Sequence, residues 1–277
     1  MHKLLSANFA RLRKDRFFWC LLAVVIAASL VNILNSARSF LLMTERGFGV
    51  TLEDYYFNQA PVMGIFCALF ASLFLGTEYS DGTIRNKLAV GHKRYHVYLS
   101  NSLVCLAASL TFLAAWLITC SLGFFLIGPM EMGISGYAAY VLIAVGFTAS
   151  FTALFTLVGS LSSNKAMTLI YTLTIFFVFL LAGSAIYDRL CEPEMQGGMV
   201  YLNGELTLLD PTPNPLYLSG AVRRVWEWIL DFLPTGQAIL MNETAIAHPL
   251  RELICSVLFT GLTLFAGCAA FRWKDIK

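Results

Sequence analysis

The chain has 277 residues, 58% of them hydrophobic and only 13% charged, with a formal net charge of +2. A soluble domain carries about a quarter charged residues, so this composition excludes one. The deficit comes from long charge-free runs, and runs of at least ~18 mostly apolar residues are long enough to cross a bilayer, which predicts an all-α, polytopic membrane protein. Of the seven cysteines, only Cys191 falls in a polar loop, and their scatter has neither metal-ligand nor disulfide-framework spacing.

In chain order, residues 1–16 carry Lys3, Arg11, Arg13, Lys14 and Arg16, with Leu5, Phe9 and Leu12 at helical spacing. They read either as a basic amphipathic helix along the headgroups or as a plain positive anchor. No small-residue cleavage site follows the first apolar run, so it is expected to be a retained span. Six spans are expected, at about 17–34, 57–75, 98–127, 136–161, 166–186 and 253–271 of a single transmembrane domain covering 1–277. Residues 35–58 read as a polar connection, Pro129 and Glu131 as a tight turn, and 162–165 as a short return turn. Thirteen of the nineteen Lys and Arg residues lie on the side that holds both termini, which places the termini in the cytoplasm.

The polar island 76–97 stands between the second and third spans. It reads as a short helix with Ser80 or Asp81 as N-cap and Gly91 at the C′ position, where a left-handed backbone is needed. Ile84 and Leu88, four apart, share one face, while Arg85 and Lys87 point elsewhere. A capped, basic, amphipathic helix held at a membrane surface suits docking to another protein.

The segment 187–252 holds six of the eight prolines and starts as irregular surface structure. From Ala221 to Phe232 it becomes helical and amphipathic, with Val222, Val225, Trp226, Ile229, Leu230 and Leu233 apolar and Arg223, Arg224, Glu227 and Asp231 opposite. Trp226, Trp228 and Phe232 would lie at the outer headgroup level, either as a gate or as an interfacial helix closing the bundle.

Several chemistries lack their residues. None of the six spans needs an Asp, Glu, Lys or Arg, so ion-coupled transport has no mid-membrane carboxylate to use, and a pathway without buried charge is expected. The histidines His2, His92, His96 and His248 form no metal set, and no phosphate-binding glycine loop occurs. No metal and no cofactor is expected in this chain, and no enzymatic activity of its own.

Glu78, then Gly82-Thr83-Ile84-Arg85, then Leu88 and Arg94 leading into the next span, resemble the signature of ABC type-2 transporter permeases. These are membrane subunits of bacterial ATP-binding-cassette exporters of the bacitracin, lantibiotic and multidrug export kind. The layout of N-terminal elbow helix, six spans and elaborated outer segment agrees over most of the chain. One departure is Asn101, where many members carry a Lys that makes a headgroup or partner contact. The resemblance implies a multi-pass subunit of the bacterial cell membrane that works as a homodimer, or a heterodimer with a second permease. A separate ATPase, carrying ATP and Mg, would dock beneath it, and no nucleic acid is involved. Residues 81–90 would be the coupling helix, with Asp81, Gly82, Thr83 and Gly91 shaping it. Ile84 and Leu88 would be knobs in the ATPase cleft, and Arg85 and Lys87 would pair with its acidic groups. Glu78 would pair with the N-terminal helix or with Arg94. The cargo of such an efflux subunit would be a hydrophobic or amphipathic peptide, antibiotic or lipid-like molecule. The alternative is a scaffold, sensor or immunity protein that binds a cytoplasmic partner through the same helix.

Overall fold

The computed structural model describes residues 1–162, 164–197, 199–202, 205–208 and 210–274. Ser163 of the return turn, and Asp275 and Lys277 of the basic tail, lie outside the described residues. The order of elements is α1 (His2–Lys14), α2 (Arg16–Glu45), α3 (Glu53–Tyr56), α4 (Ala60–Ser80), α5 (Thr83–Ala89), α6 (Arg94–Cys120), α7 (Gly123–Leu126), α8 (Gly133–Leu161) and α9 (Lys165–Leu190). Four short strands follow, β1 (Met195–Gln196), β2 (Met199–Leu202), β3 (Glu205–Leu208) and β4 (Thr212–Pro213), and then α10 (Gly220–Phe232), α11 (Pro234–Asn242) and α12 (Pro249–Trp273). The strands form two antiparallel pairs, β1 with β4 and β2 with β3. Everything else of weight is helical.

Six helices, α2, α3–α4, α6–α7, α8, α9 and α12, are long and apolar enough to cross a membrane, which makes the chain a multi-pass membrane protein. They divide into inner and outer sets. The apolar window of the α3–α4 span is 61% buried, that of α8 56% and that of α6–α7 50%, against 22% for α2, 17% for α9 and 22% for α12. Helix α4 is the hub, because Phe70 and Phe74 stack on each other and Phe70 packs edge-on against Phe112 of α6. Phe151 stacks on Phe155 of α8 and meets Phe176 of α9. Lipid tails are as apolar as these side chains, so close packing and interhelical hydrogen bonds hold the bundle rather than exclusion of water. Ser150 of α8 shows the second kind, donating to the Ser256 carbonyl of α12 at 3.2 Å and lying 3.1 Å from Thr260 Oγ1.

The first span runs eleven residues further than the sequence reading placed it, through Asn35, Ser36 and Arg38 to Glu45. Polarity alone does not end a helix, and no Gly or Pro stands in the way until Gly47. The polar connection therefore shrinks to 46–52 and the single turn of α3.

Both ends of the bundle are pinned by polar contacts. At one end, Lys274 Nζ donates to the carbonyls of Ser160 and Ser162 at 2.9 Å each, closing the end of α8 from α12. At the other, Tyr56 Oη donates to the Leu117 carbonyl at 2.7 Å and lies 3.0 Å from Tyr137 Oη. There Glu53 Oε1 also accepts from the Met132 backbone N–H at 2.6 Å, at the start of α8.

Helix α11 sits so close to the end of α10 that a Cβ on Gly236 would run into the Leu230 carbonyl, whereas one on Gly261 of α12 would meet nothing within 4 Å. Gly236→Ala should lower the thermal unfolding midpoint of the detergent-purified protein, corresponding to ~1–3 kcal/mol of overpacking. Gly261→Ala should stay within ~0.5 kcal/mol of the parent.

Candidate functional site

The polar island folds around a break that only glycine suits. Helix α4 continues through Ser80, whose hydroxyl donates back to the Gly76 carbonyl at 3.0 Å and so is not available as a cap. Gly82, at φ +66°, then turns the chain into α5 as its N-cap. This corrects the expectation of Ser80 or Asp81 as N-cap: α4 extends over both positions, with Asp81 its C-cap. The other end is as the sequence indicates. Gly91 takes φ +92°, its N–H bonds the Leu88 carbonyl at 2.9 Å and the His92 N–H bonds that of Lys87 at 3.3 Å, the paired bonds of a Schellman closure.

Beneath α5 lies Glu78, 1% exposed, on the last turn of α4. Its Oε1 takes ion pairs from Arg11 of α1 and from Lys87 of α5. Its Oε2 accepts from Asn101 Nδ2 of α6 at 2.6 Å. Asn8 of α1 closes the ring, donating to Asn101 Oδ1 at 2.7 Å and to Ser100 Oγ at 3.1 Å and accepting from Lys87 Nζ at 2.9 Å. The Arg11 guanidinium also lies 3.7 Å over the Phe74 ring and donates to the Phe74 carbonyl. One carboxylate thus joins the consecutive helices α4, α5 and α6 to the sequence-distant α1. Burial pulls the Lys87 ammonium below its usual range, although Glu78 acts in the opposite direction.

This geometry settles the alternatives for Glu78 and corrects the expectations for Ile84 and Lys87. Glu78 pairs with the N-terminal helix and not with Arg94, which instead donates to the carbonyls of Phe271 and Lys274 on α12. Ile84 is not an outward knob: it is 2% exposed and packs with Leu4, Val97, Tyr98 and Phe271, with Leu88 half-buried against the same cluster. The apolar face of α5 is therefore spent on its own bundle. Lys87 is likewise turned inward to Glu78, and Asn101, the departure from the family's Lys, donates to Glu78. Thr83 caps inward too, its hydroxyl donating to the Glu78 carbonyl at 3.1 Å. What remains on the outer face is Asp81, Arg85, Asn86, Ala89 and Val90, the last 80% exposed.

At the opposite end, α10 is amphipathic but inverted with respect to water. Val222, Val225, Trp228, Ile229 and Phe232 are exposed, while Asp231 is buried. Trp226 is half-buried, Trp228 lies under the Arg251 guanidinium at 5.2 Å, and Phe232 packs edge-on against Phe259 of α12. Arg223, Glu227 and Asp231 of α10 turn toward α9 and α12 and line a pocket of about 260 Å³, while Arg224 stays exposed. Arg223 pairs with Glu227 there, and Arg251 with Asp231. Burial raises the Asp231 carboxyl above its usual range, with Arg251 acting against it.

The spans as read from the sequence hold no charge, and the buried carboxylates lie at the ends of the spanning helices, outside those bounds. Glu78 sits in α4, and Glu53 and Glu252, each 5% exposed or less, sit in the first turns of α3 and α12. No group of three His, Cys, Asp or Glu residues able to hold a metal occurs among the described residues. Sequence reasoning missed Asn8, Arg11 and Asn101 as a set. The available signal was Asn8 in the stripe Leu4, Asn8, Leu12, since a polar residue on the buried face of an amphipathic helix needs a partner. The site thus belongs to a helical multi-pass membrane protein with a surface helix tied to its bundle by a buried carboxylate. No protein-family model matches the chain, and no curated protein matches it either.

Removing one member of this cluster strands the rest. Glu78→Gln leaves Arg11 and Lys87 without a counter-ion and should cost ~3–5 kcal/mol of stability. Adding Lys87→Met should return part of that loss, giving a favourable coupling in a double-mutant cycle read by thermal unfolding.

Proposed function

We propose that the chain is the membrane-spanning subunit of an ATP-driven exporter and that α5 transmits force from a separate ATPase subunit. The observation that carries this reading is the linkage of α5 to α1, α4 and α6 through Glu78. A loose surface loop would absorb a push. A helix locked from beneath by ion pairs and by Ile84 passes the displacement to α4 and α6, which lie at the centre of the bundle. The solvent-exposed outer face, Asp81, Arg85, Asn86, Ala89 and Val90, is the surface for the ATPase. In this reading a catalytic centre is needed only in the partner, which binds ATP and Mg and changes shape on hydrolysis.

The resemblance of Glu78, Gly82-Thr83-Ile84-Arg85, Leu88 and Arg94 to ABC type-2 permeases supports the same assignment. It carries with it a pair of such membrane subunits, residence in the bacterial cell membrane, and hydrophobic or amphipathic cargo. The excess of Lys and Arg at the end bearing α1, α5 and the last turn of α12 supports a cytoplasmic position for that end and both termini.

The test is the composition of the complex purified in mild detergent from the native host, with Val90→Asp and Ile84→Asp beside the parent. The parent should bring down an ATPase whose activity depends on this chain. Val90→Asp should lose the ATPase while its own unfolding midpoint stays within ~0.5 kcal/mol of the parent, because the site is exposed. Ile84→Asp should lose stability as well, since it buries a charge beside Tyr98 and Phe271. A complex without ATPase even after cross-linking, or full ATPase binding by Val90→Asp, overturns the docking assignment.

A further inference from the structure

The pocket at the end opposite α5 has one carboxylate more than its cations. Arg223 pairs with Glu227 at 3.1 Å and Arg251 with Asp231, so each guanidinium of the wall already has a carboxylate partner. Glu252 stands in the same wall on the first turn of α12, 1% exposed, and its Oε2 has no hydrogen-bond partner. Its backbone carbonyl accepts from Gln237 Nε2 at 3.1 Å, and Gln237 Oε1 accepts from Ser256 Oγ at 2.7 Å, so this turn of α12 is held in place. His248 is exposed in the same wall, and the Arg251 guanidinium, although paired with Asp231, also acts on Glu252 from a distance. A buried carboxylate without a donor is unfavourable until a cation reaches it.

We propose that this pocket binds the ammonium head of an amphipathic amine, with Glu252 as the carboxylate that receives it. Three features of the pocket select that chemistry. A divalent metal asks for about six oxygen ligands, and no metal-holding group exists among the described residues. A primary ammonium brings three donors on a carbon stem, and Leu190, Leu230 and Leu240 line the same wall to receive the stem. The volume, about 260 Å³, is below the ~300–1,000 Å³ of sites that enclose a whole drug-sized ligand. It therefore takes a head and its first carbons and leaves the tail outside. The outer face of α10, with Val222, Val225, Trp228 and Ile229 exposed, is apolar. This inference does not depend on α5 docking an ATPase.

The experiment uses the purified full chain in nanodiscs of neutral phosphatidylcholine at neutral pH. It is titrated with dodecylamine and, separately, with dodecanol, reading tryptophan fluorescence and the unfolding midpoint. Dodecylamine should bind saturably and stabilise the protein, and dodecanol should do neither. Glu252→Gln, which keeps the shape and removes the charge, should weaken dodecylamine binding by about tenfold or more. Without ligand, the same variant should unfold no lower than the parent. Ala247→Trp, which adds bulk to the pocket wall and leaves every charge in place, should block the amine too. Equal affinity of Glu252→Gln and parent for dodecylamine, equal response of the parent to amine and alcohol, or unchanged binding by Ala247→Trp overturns the proposal.

Discussion

A single buried carboxylate sets the arrangement of one whole end of this molecule. Glu78 lies at the end of an otherwise apolar helix with 1% of its surface exposed. A charge in that position is tolerated only if cations and hydrogen-bond donors come to it. None is within reach on α4 itself, so they are brought by α1 through Arg11, by α5 through Lys87 and by α6 through Asn101. The need to satisfy Glu78 therefore decides where the N-terminal helix rests and on which side α5 folds back. Asn8 adds to this because its amide is fully occupied, joining α1 to Asn101 and Ser100 and accepting from Lys87.

The long-range architecture was legible because it depends on sums over many residues. Charge-free runs gave the six spans, and the left-handed requirement of a helix end gave Gly91. The pairing of Glu78 was legible only as a choice between the N-terminal helix and Arg94, the two basic groups near that membrane edge. What the sequence does not encode locally is direction. Ile84 and Leu88 mark an apolar stripe, but the stripe alone does not say whether it faces a partner or the chain's own Leu4 and Phe271. Ser80 is a good cap by type, yet α4 propagates over it because Thr77, Glu78 and Tyr79 continue a helix already nucleated upstream. Helix α10 was found at its place, but its apolar face turns outward while Arg223, Glu227 and Asp231 turn in.

The two ends of the bundle treat buried acids in opposite ways. Around Glu78 every lone-pair direction that matters has a donor, and the site is closed and rigid. Around Glu252 the two arginines are already paired, and the carboxylate faces a cavity instead of a partner. A satisfied network specifies structure, whereas an unsatisfied buried group beside an open volume is where a ligand gains most by binding. The contrast separates a structural role for Glu78 from a recognition role for Glu252, although both are glutamates buried to the same degree.

Helix α12 touches both regions. Its first turn holds Glu252 and is fixed through Gln237, while its last turn gives the Phe271 carbonyl to Arg94 and places Phe271 against Ile84 of α5. Ser150 of α8 grips its middle through Ser256 and Thr260. A continuous helix carries a displacement along its length, but continuity is only half of coupling. The other half is an element with two arrangements whose balance each end can bias. The α5 end is too fully bonded to supply that element by itself. The pocket end has the looser construction, in which filling the space beside Glu252 changes the electrostatic environment of Asp231 and Arg251, and these two residues tie α10 to α12. If the molecule switches, the geometry places the soft joint there and makes the Glu78 cluster the rigid handle by which the motion is driven or read.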